Sequence, residues 1–308
     1  MHWLFQRGQN TLCFSLVILL ASLLIAACAP ATAQGSTQTG GRVLSVVSTE
    51  DTWGSIVAQL GGKHVQVDSV ISSPTVDPHD YESTTTDARN FAQANYVIIN
   101  GAGYDDWGQK LLDGNPNSSR KVLNVANYLN KKPGDNPHFW EDPDYVQQVA
   151  NKITSDLQSM DKADSAYFTQ QRQAFQTAIQ PYINVAKTIQ TKYAHTPIGA
   201  SEALYVYQAN YLHLNLVTPL AYLNAENNGT EIPASAASTF YQQISQKQIK
   251  VMMLDVQNES NETRNLATLV QKQQIPIVKI TETLSPAGTT FQNWQYTQVH
   301  QLLQALQQ

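Results

Sequence analysis

The sequence predicts an α/β protein of two lobes, each a mostly parallel sheet flanked by helices, joined by one long rigid helix. Three observations carry this. Short apolar runs alternate with segments of helical period from Val43 onward, and the same alternation restarts at Pro197. Between the two series lies a helical pattern from about Asp164 to Tyr193. A chain of 308 residues is long enough to bury a core in each lobe. Strands that alternate with helices run parallel, because each helix carries the chain back to the edge from which the strand started.

The first residues stand apart from the fold. Arg7 and the amino terminus form a short positive region, Leu12 to Ala27 is an almost unbroken apolar run, and it ends in Ile25-Ala26-Ala27-Cys28. This resembles a bacterial lipoprotein signal, which implies cleavage after residue 27 and a lipidated Cys28. A membrane-spanning anchor is the competing reading, for which the run is barely long enough. Cys13 would leave with the signal, so the mature chain would hold neither a disulfide nor a thiolate zinc site. After Cys28, residues 29–41 are Ala, Thr, Gln, Ser and Gly with one Pro and no apolar period, so 28–41 is the lipidated cysteine and a flexible tether.

Taken in order, Val43 to Ser48 is the first strand, and Ile56, Val57 and Leu60 mark a helix that stops at Gly61-Gly62. Val65 to Ile71 is the second strand. A helix over about Thr84 to Ala94 leads into the strand Tyr96 to Asn100, which Gly101-Ala102-Gly103 breaks. Trp107 to Leu112 is a short helix and Val122 to Val125 a fourth strand. After Pro143, Val146, Val149, Ile153 and Leu157 recur at helical spacing. The long helix follows, kinked by Pro181, and at roughly 30 residues it spans on the order of 45 Å, a rod between lobes. The second series reads strand Pro197 to Ala200, helix Leu204 to Asn210, strand Leu216 to Leu220, helix Ser235 to Gln246, strand Val251 to Leu254, helix Glu262 to Gln273, strand Ile277 to Ile280, and a terminal helix from Trp294. The lobes are thus expected at 42–160 and 195–308, with the link at 161–194.

A formal charge of -5, a pI near 5.8 and the lack of any Lys/Arg-rich run exclude a nucleic-acid partner. In open parallel sheets ligands bind beyond the carboxyl ends of strands. Four metal-capable side chains lie in such places. His79, in V-D-P-H-D-Y-E, follows the second strand; His138, in N-P-H-F-W-E-D-P, lies in an extended turn before a helix capped by Asp142 with Pro143 as its first residue. Glu202 follows the strand ending at Ala200, and Glu282 the strand ending at Ile280. Singly, each has an ordinary alternative: a turn histidine satisfies backbone groups, Glu202 caps a helix, Glu282 is a solvated carboxylate. Two ligands from each lobe predict a metal site in the cleft. His64, His195, His213 and His300 are scattered and read as structural or solvated.

From Val43 to the end the chain resembles the solute-binding lipoproteins of zinc, manganese and iron ABC transporters. D-P-H-D-Y-E at Asp77 to Glu82 and N-P-H-F-W-E-D-P at Asn136 to Pro143 are similar to that family's two histidine motifs. Ser201-Glu202 is similar to its third ligand position and Glu282, in T-E-T-L, to its fourth; N-N-G-T-E-I-P at Asn227 to Pro233 and V-Q-N-E-S at Val256 to Ser260 are also similar. The resemblance implies a non-enzymatic carrier, monomeric, held by lipid on the outer face of the cytoplasmic membrane or in the periplasm, that hands a divalent ion to a permease. Two neutral imidazoles and two carboxylates would leave the loaded site without net charge, with Asp80 and Asp142 as candidates to orient the histidines. Zinc and manganese remain equally open, with iron possible; many zinc-specific members carry a His-rich loop, and between Tyr104 and Pro137 this chain has no histidine. The competing functions are a metal-dependent envelope hydrolase, for which no H-E-x-x-H or G-x-S-x-G motif is present, and a lipid-anchored adhesin with a structural metal.

Overall fold

The first strand, β1 (Leu44–Glu50), passes without a break into α1 (Asp51–Gly61). The structure, a computed structural model, describes residues 43–73, 75–76, 81–257 and 260–308; Cys28, His79 and Asp80 lie outside the described residues. β2 (Val65–Ile71), α2 (Thr85–Gln93), β3 (Tyr96–Ile99), α3 (Asp106–Gly114), β4 (Lys121–Asn124) and the single turn α4 (Val125–Tyr128) complete the first series. Thr84 and Asp87 form a reciprocal capping box at the start of α2, which fixes that helix to within a residue of the expected place. The sheet order is β2-β1-β3-β4, with all neighbours parallel.

α5 (Pro143–Met160) leads to the link. Here the expected single helix is two, α6 (Ser165–Ala178) and α7 (Gln180–Lys192), divided at Ile179. Pro181 has no N–H to return to the preceding turn, so the helical ladder is interrupted at Ile179, which itself keeps right-handed helical torsions. α6 packs on α1 and α5, whereas α7 packs on the terminal helix, so each half belongs to a different lobe.

The second series holds β5 (Pro197–Ala200), a 3-10 turn over Ala203–Tyr205, α8 (Val206–Tyr211), β6 (Asn215–Leu216), α9 (Leu220–Asn227), α10 (Ala234–Ser245), β7 (Val251–Asp255), α11 (Asn261–Lys272), β8 (Ile277–Ile280) and α12 (Phe291–Leu306). Its sheet order, β6-β5-β7-β8, is again parallel throughout and repeats the topology of the first. Two expectations fail here. The strand expected over Leu216 to Leu220 begins a residue earlier and stops at Leu216: the Thr218 hydroxyl bonds the N–H and C=O of Ala200 in place of a ladder, Pro219 caps α9, and Leu220 is helical and exposed. The expected helix at Leu204 begins as the 3-10 turn because Glu202, before it, is fully extended.

Strand alternation divides the core. Val46, Tyr96 and Ile98 face inward, joining Val251 and Met253 of the other sheet, both halves of the link and α12 in one continuous cluster. Their neighbours Val47, Val97 and Ile99 face outward to Phe91 and Leu112, and Met252 and Leu254 face outward to Phe240 and Leu266. The two sheets therefore share one interior.

Candidate metal centre

His138 is fully buried in the loop between α4 and α5. Asn136, two residues earlier, accepts at Oδ1 from the His138 backbone N–H (3.0 Å) and lies 2.8 Å from its Nδ1. An acceptor at Nδ1 selects the tautomer whose Nε2 carries a lone pair. The ring meets Trp140 edge-on at 5.2 Å and Tyr104 at 5.8 Å. Behind the loop, Trp53 donates to Asn100 Oδ1 (2.9 Å) and Asn100 donates to the Pro137 carbonyl (2.9 Å). The histidine is held on every side but one.

That side faces two carboxylates of the other lobe. Nε2 lies 3.4 Å from Glu282 Oε2 and 4.0 Å from Glu202 Oε1, and each glutamate is 2% exposed. Donor atoms bound tetrahedrally at about 2.1 Å to one ion sit roughly 3.4 Å apart, so this spacing fits a shared ion of zinc or manganese size. Glu202 is carried on the extended residue after β5, where Ser201 is tied to β7 through its backbone N–H on Met253 and its hydroxyl under the Asp255 N–H. Glu282 and Thr283 both donate backbone N–H groups to Gln257 Oε1, at 2.6 and 3.0 Å. One amide oxygen thus shapes the turn after β8.

Tyr104 connects the lobes at the site. Its hydroxyl donates to Glu282 Oε2 at 2.6 Å, and burial together with the Glu282 and Glu50 carboxylates keeps the phenol protonated far above its usual range. The Asp105 carboxylate accepts the N–H groups of Asn100 (2.6 Å) and Gly101 (2.7 Å), and Gly101 and Gly103 take positive φ, a turn that leaves the tyrosine beside His138. Tyr104→Phe is expected to weaken metal by about tenfold, as losing a hydrogen bond to a ligating group does. A chelator competition on parent and variant checks it, and equal affinities would refute it.

Asp142 does not orient His138. Its Oδ1 accepts from Asp144 and Tyr145 N–H groups as the cap of α5, and Asn136 occupies the histidine's Nδ1. Glu141, between them in sequence, is buried and accepts from Gln295 Nε2 of α12 at 2.8 Å; burial raises its carboxyl to about 8, Gln295 offsetting little of that. Asn136 also bridges the lobes, donating to the Ala203 carbonyl (2.7 Å). Its side chain bonding two residues onward is a local pattern legible in a sequence. The Tyr104 contact, across 178 positions, leaves no such trace.

The chain matches the family described as zinc-uptake complex component A, periplasmic, over residues 46–305. It is 25% identical to the manganese-binding lipoprotein MntA of Halalkalibacterium halodurans over 56% of this chain and 57% of that protein. It is 24% identical to the metal ABC transporter substrate-binding lipoprotein ScbA of Streptococcus cristatus over 86% of this chain and 87% of that protein. Among solved structures, the periplasmic zinc binding protein TroA of Treponema pallidum superposes with a TM-score of 0.72 at 18% identity, covering 86% of this chain and 99% of that one. That likeness is one of fold.

Proposed function

Because the chain belongs to the family of the periplasmic zinc-uptake complex component A, we propose that it captures a divalent transition metal outside the cytoplasm and delivers it to the permease of an ABC transporter. The observation that carries this reading is the meeting of His138 from one lobe with Glu202 and Glu282 from the other, all at most 2% exposed. His79, eight positions beyond the last residue of β2, supplies the fourth donor in this reading. Two carboxylates match the charge of one dication, so the loaded cleft is neutral. Four donors also fill a tetrahedral shell and leave no position for a reacting water, which favours carriage over hydrolysis.

Oxygen-rich coordination suits manganese and ferrous iron, while zinc binds most nitrogen and oxygen sites more tightly than manganese. Relatives and structural neighbours include proteins named for manganese and for zinc, and both ions stay in the proposal. Residues 1–27 serve as the signal, Cys28 carries the lipid, 28–41 tether the carrier to the membrane, and it works as a monomer of two lobes (42–160 and 195–308) around the link at 161–194. Elemental analysis of the purified protein is expected to find transition metal that a chelator removes, and zinc–manganese competition at buffered free-ion levels names the cargo. Affinity no tighter than about micromolar for either ion (roughly -8 kcal/mol) would sink the carrier reading.

A further inference from the structure

At the opposite end of β2 from the cleft, roughly 20 Å along a seven-residue strand, His64 is buried against the turn between α5 and α6. Its Nδ1 lies 3.2 Å from Asp164 Oδ2 and 3.7 Å from Asp161 Oδ2, with side-chain exposures of 6%, 30% and 11% for His64, Asp164 and Asp161. We propose that these three side chains form a second, weaker site for a divalent transition metal on the N-terminal lobe.

One imidazole N–H can aim at only one of two carboxylate oxygens, whereas an ion set between the three donors is met by all of them. The spacing matches the edge of about 3.4 Å between donors sharing a tetrahedral ion. Asp161 Oδ2 is buried with no hydrogen-bond partner among the described residues, and His64 Nδ1 stands off from it at 3.7 Å. Burying a carboxylate oxygen without a hydrogen bond is costly, and a cation relieves it. The ring is oriented by packing instead: Tyr167 lies 4.6 Å away, centroid to centroid, and Phe168 5.6 Å. Gly62, at φ +51°, admits the Tyr167 hydroxyl where any side chain would collide with it. Two carboxylates and a neutral imidazole again balance one dication. With three protein donors, and Asp164 partly open to water, the site leaves a position for solvent, so it binds less tightly than the cleft and exchanges faster. A bound ion would join the end of α5 and the start of α6 to the lobe's floor.

Equilibrium dialysis of the full-length protein against zinc tests this. In a variant with the cleft donors removed (His138→Ala, Glu202→Gln, Glu282→Gln), one equivalent is expected to remain. Adding Asp164→Asn, the most exposed of the three and least able to disturb folding, is expected to weaken that equivalent by about tenfold or more, and His64→Gln to do the same. In the parent, Asp164→Asn is expected to weaken only the weaker of two equivalents, by the same factor. Circular dichroism confirms that each variant is folded. The proposal is overturned if the cleft variant binds no zinc, or if its remaining zinc is indifferent to both Asp164→Asn and His64→Gln.

Discussion

Replacing both cleft carboxylates, Glu202→Gln with Glu282→Gln, is expected to lower transition-metal affinity by two to three orders of magnitude or more. Both groups are 2% exposed, and removing one partner from a buried ionic contact costs about 3–5 kcal/mol because the remaining charge is left uncompensated. At about 1.4 kcal/mol per factor of ten, one such loss alone gives that range. The same variant, free of metal, should melt no lower than the parent, since the amides relieve the mutual repulsion of two buried carboxylates. Competition with a chelating dye measures the first effect and thermal unfolding the second. A variant that holds zinc and manganese as tightly as the parent would remove both glutamates from the ligand set.

The second large effect concerns Glu141. Its carboxyl titrates at about 8 in the fold against an ordinary 4.5, chiefly through burial. A folded value above the unfolded one means that stability is fully present below pH 4.5 and falls as pH rises toward 8, levelling off above it. The gap corresponds to roughly 5 kcal/mol of order-of-magnitude penalty for the ionised form. Glu141→Gln keeps the shape and an acceptor for Gln295 while abolishing the charge. The variant is therefore expected to melt like the parent at pH 5 and higher by on the order of 5–10 °C at pH 9. Equal melting points at pH 9 would mean that the carboxyl ionises without cost, and that Gln295 or solvent reaches it more fully than the geometry provides.

Much of the fold was legible because strand and helix leave short-range marks. Val65–Ile71, Pro197–Ala200 and Ile277–Ile280 lie where their apolar patterns place them, bounded by glycine, proline or a cap. The errors fall where a side chain replaces a backbone partner: Thr218 ends β6 early, and the proline at 181 divides a helix that its apolar period would continue. For the site, strand ends singled out Glu202 and Glu282 and the proline-preceded turn singled out His138, and the structure brings these three together. The groups that orient them were not legible in this way. Tyr104 and Gln257 reach the Glu282 turn from distant segments, and nothing local in the sequence marks Glu141 as buried against α12. The His64 cluster leaves no local mark either, since its aspartates lie about a hundred positions further on.

The continuous inner cluster, from Leu44 through both halves of the link to Leu306, bears on how the cargo is treated. Two lobes that share one interior are already joined by apolar burial and by direct bonds such as Asn136 to Ala203. The ion need not hold them together. Unlike a small zinc domain, where metal binding is the folding free energy, the protein is expected to keep its shape when emptied, which equal small-angle scattering profiles with and without metal would check. A site preformed in this way would leave most of the binding free energy for choosing among ions.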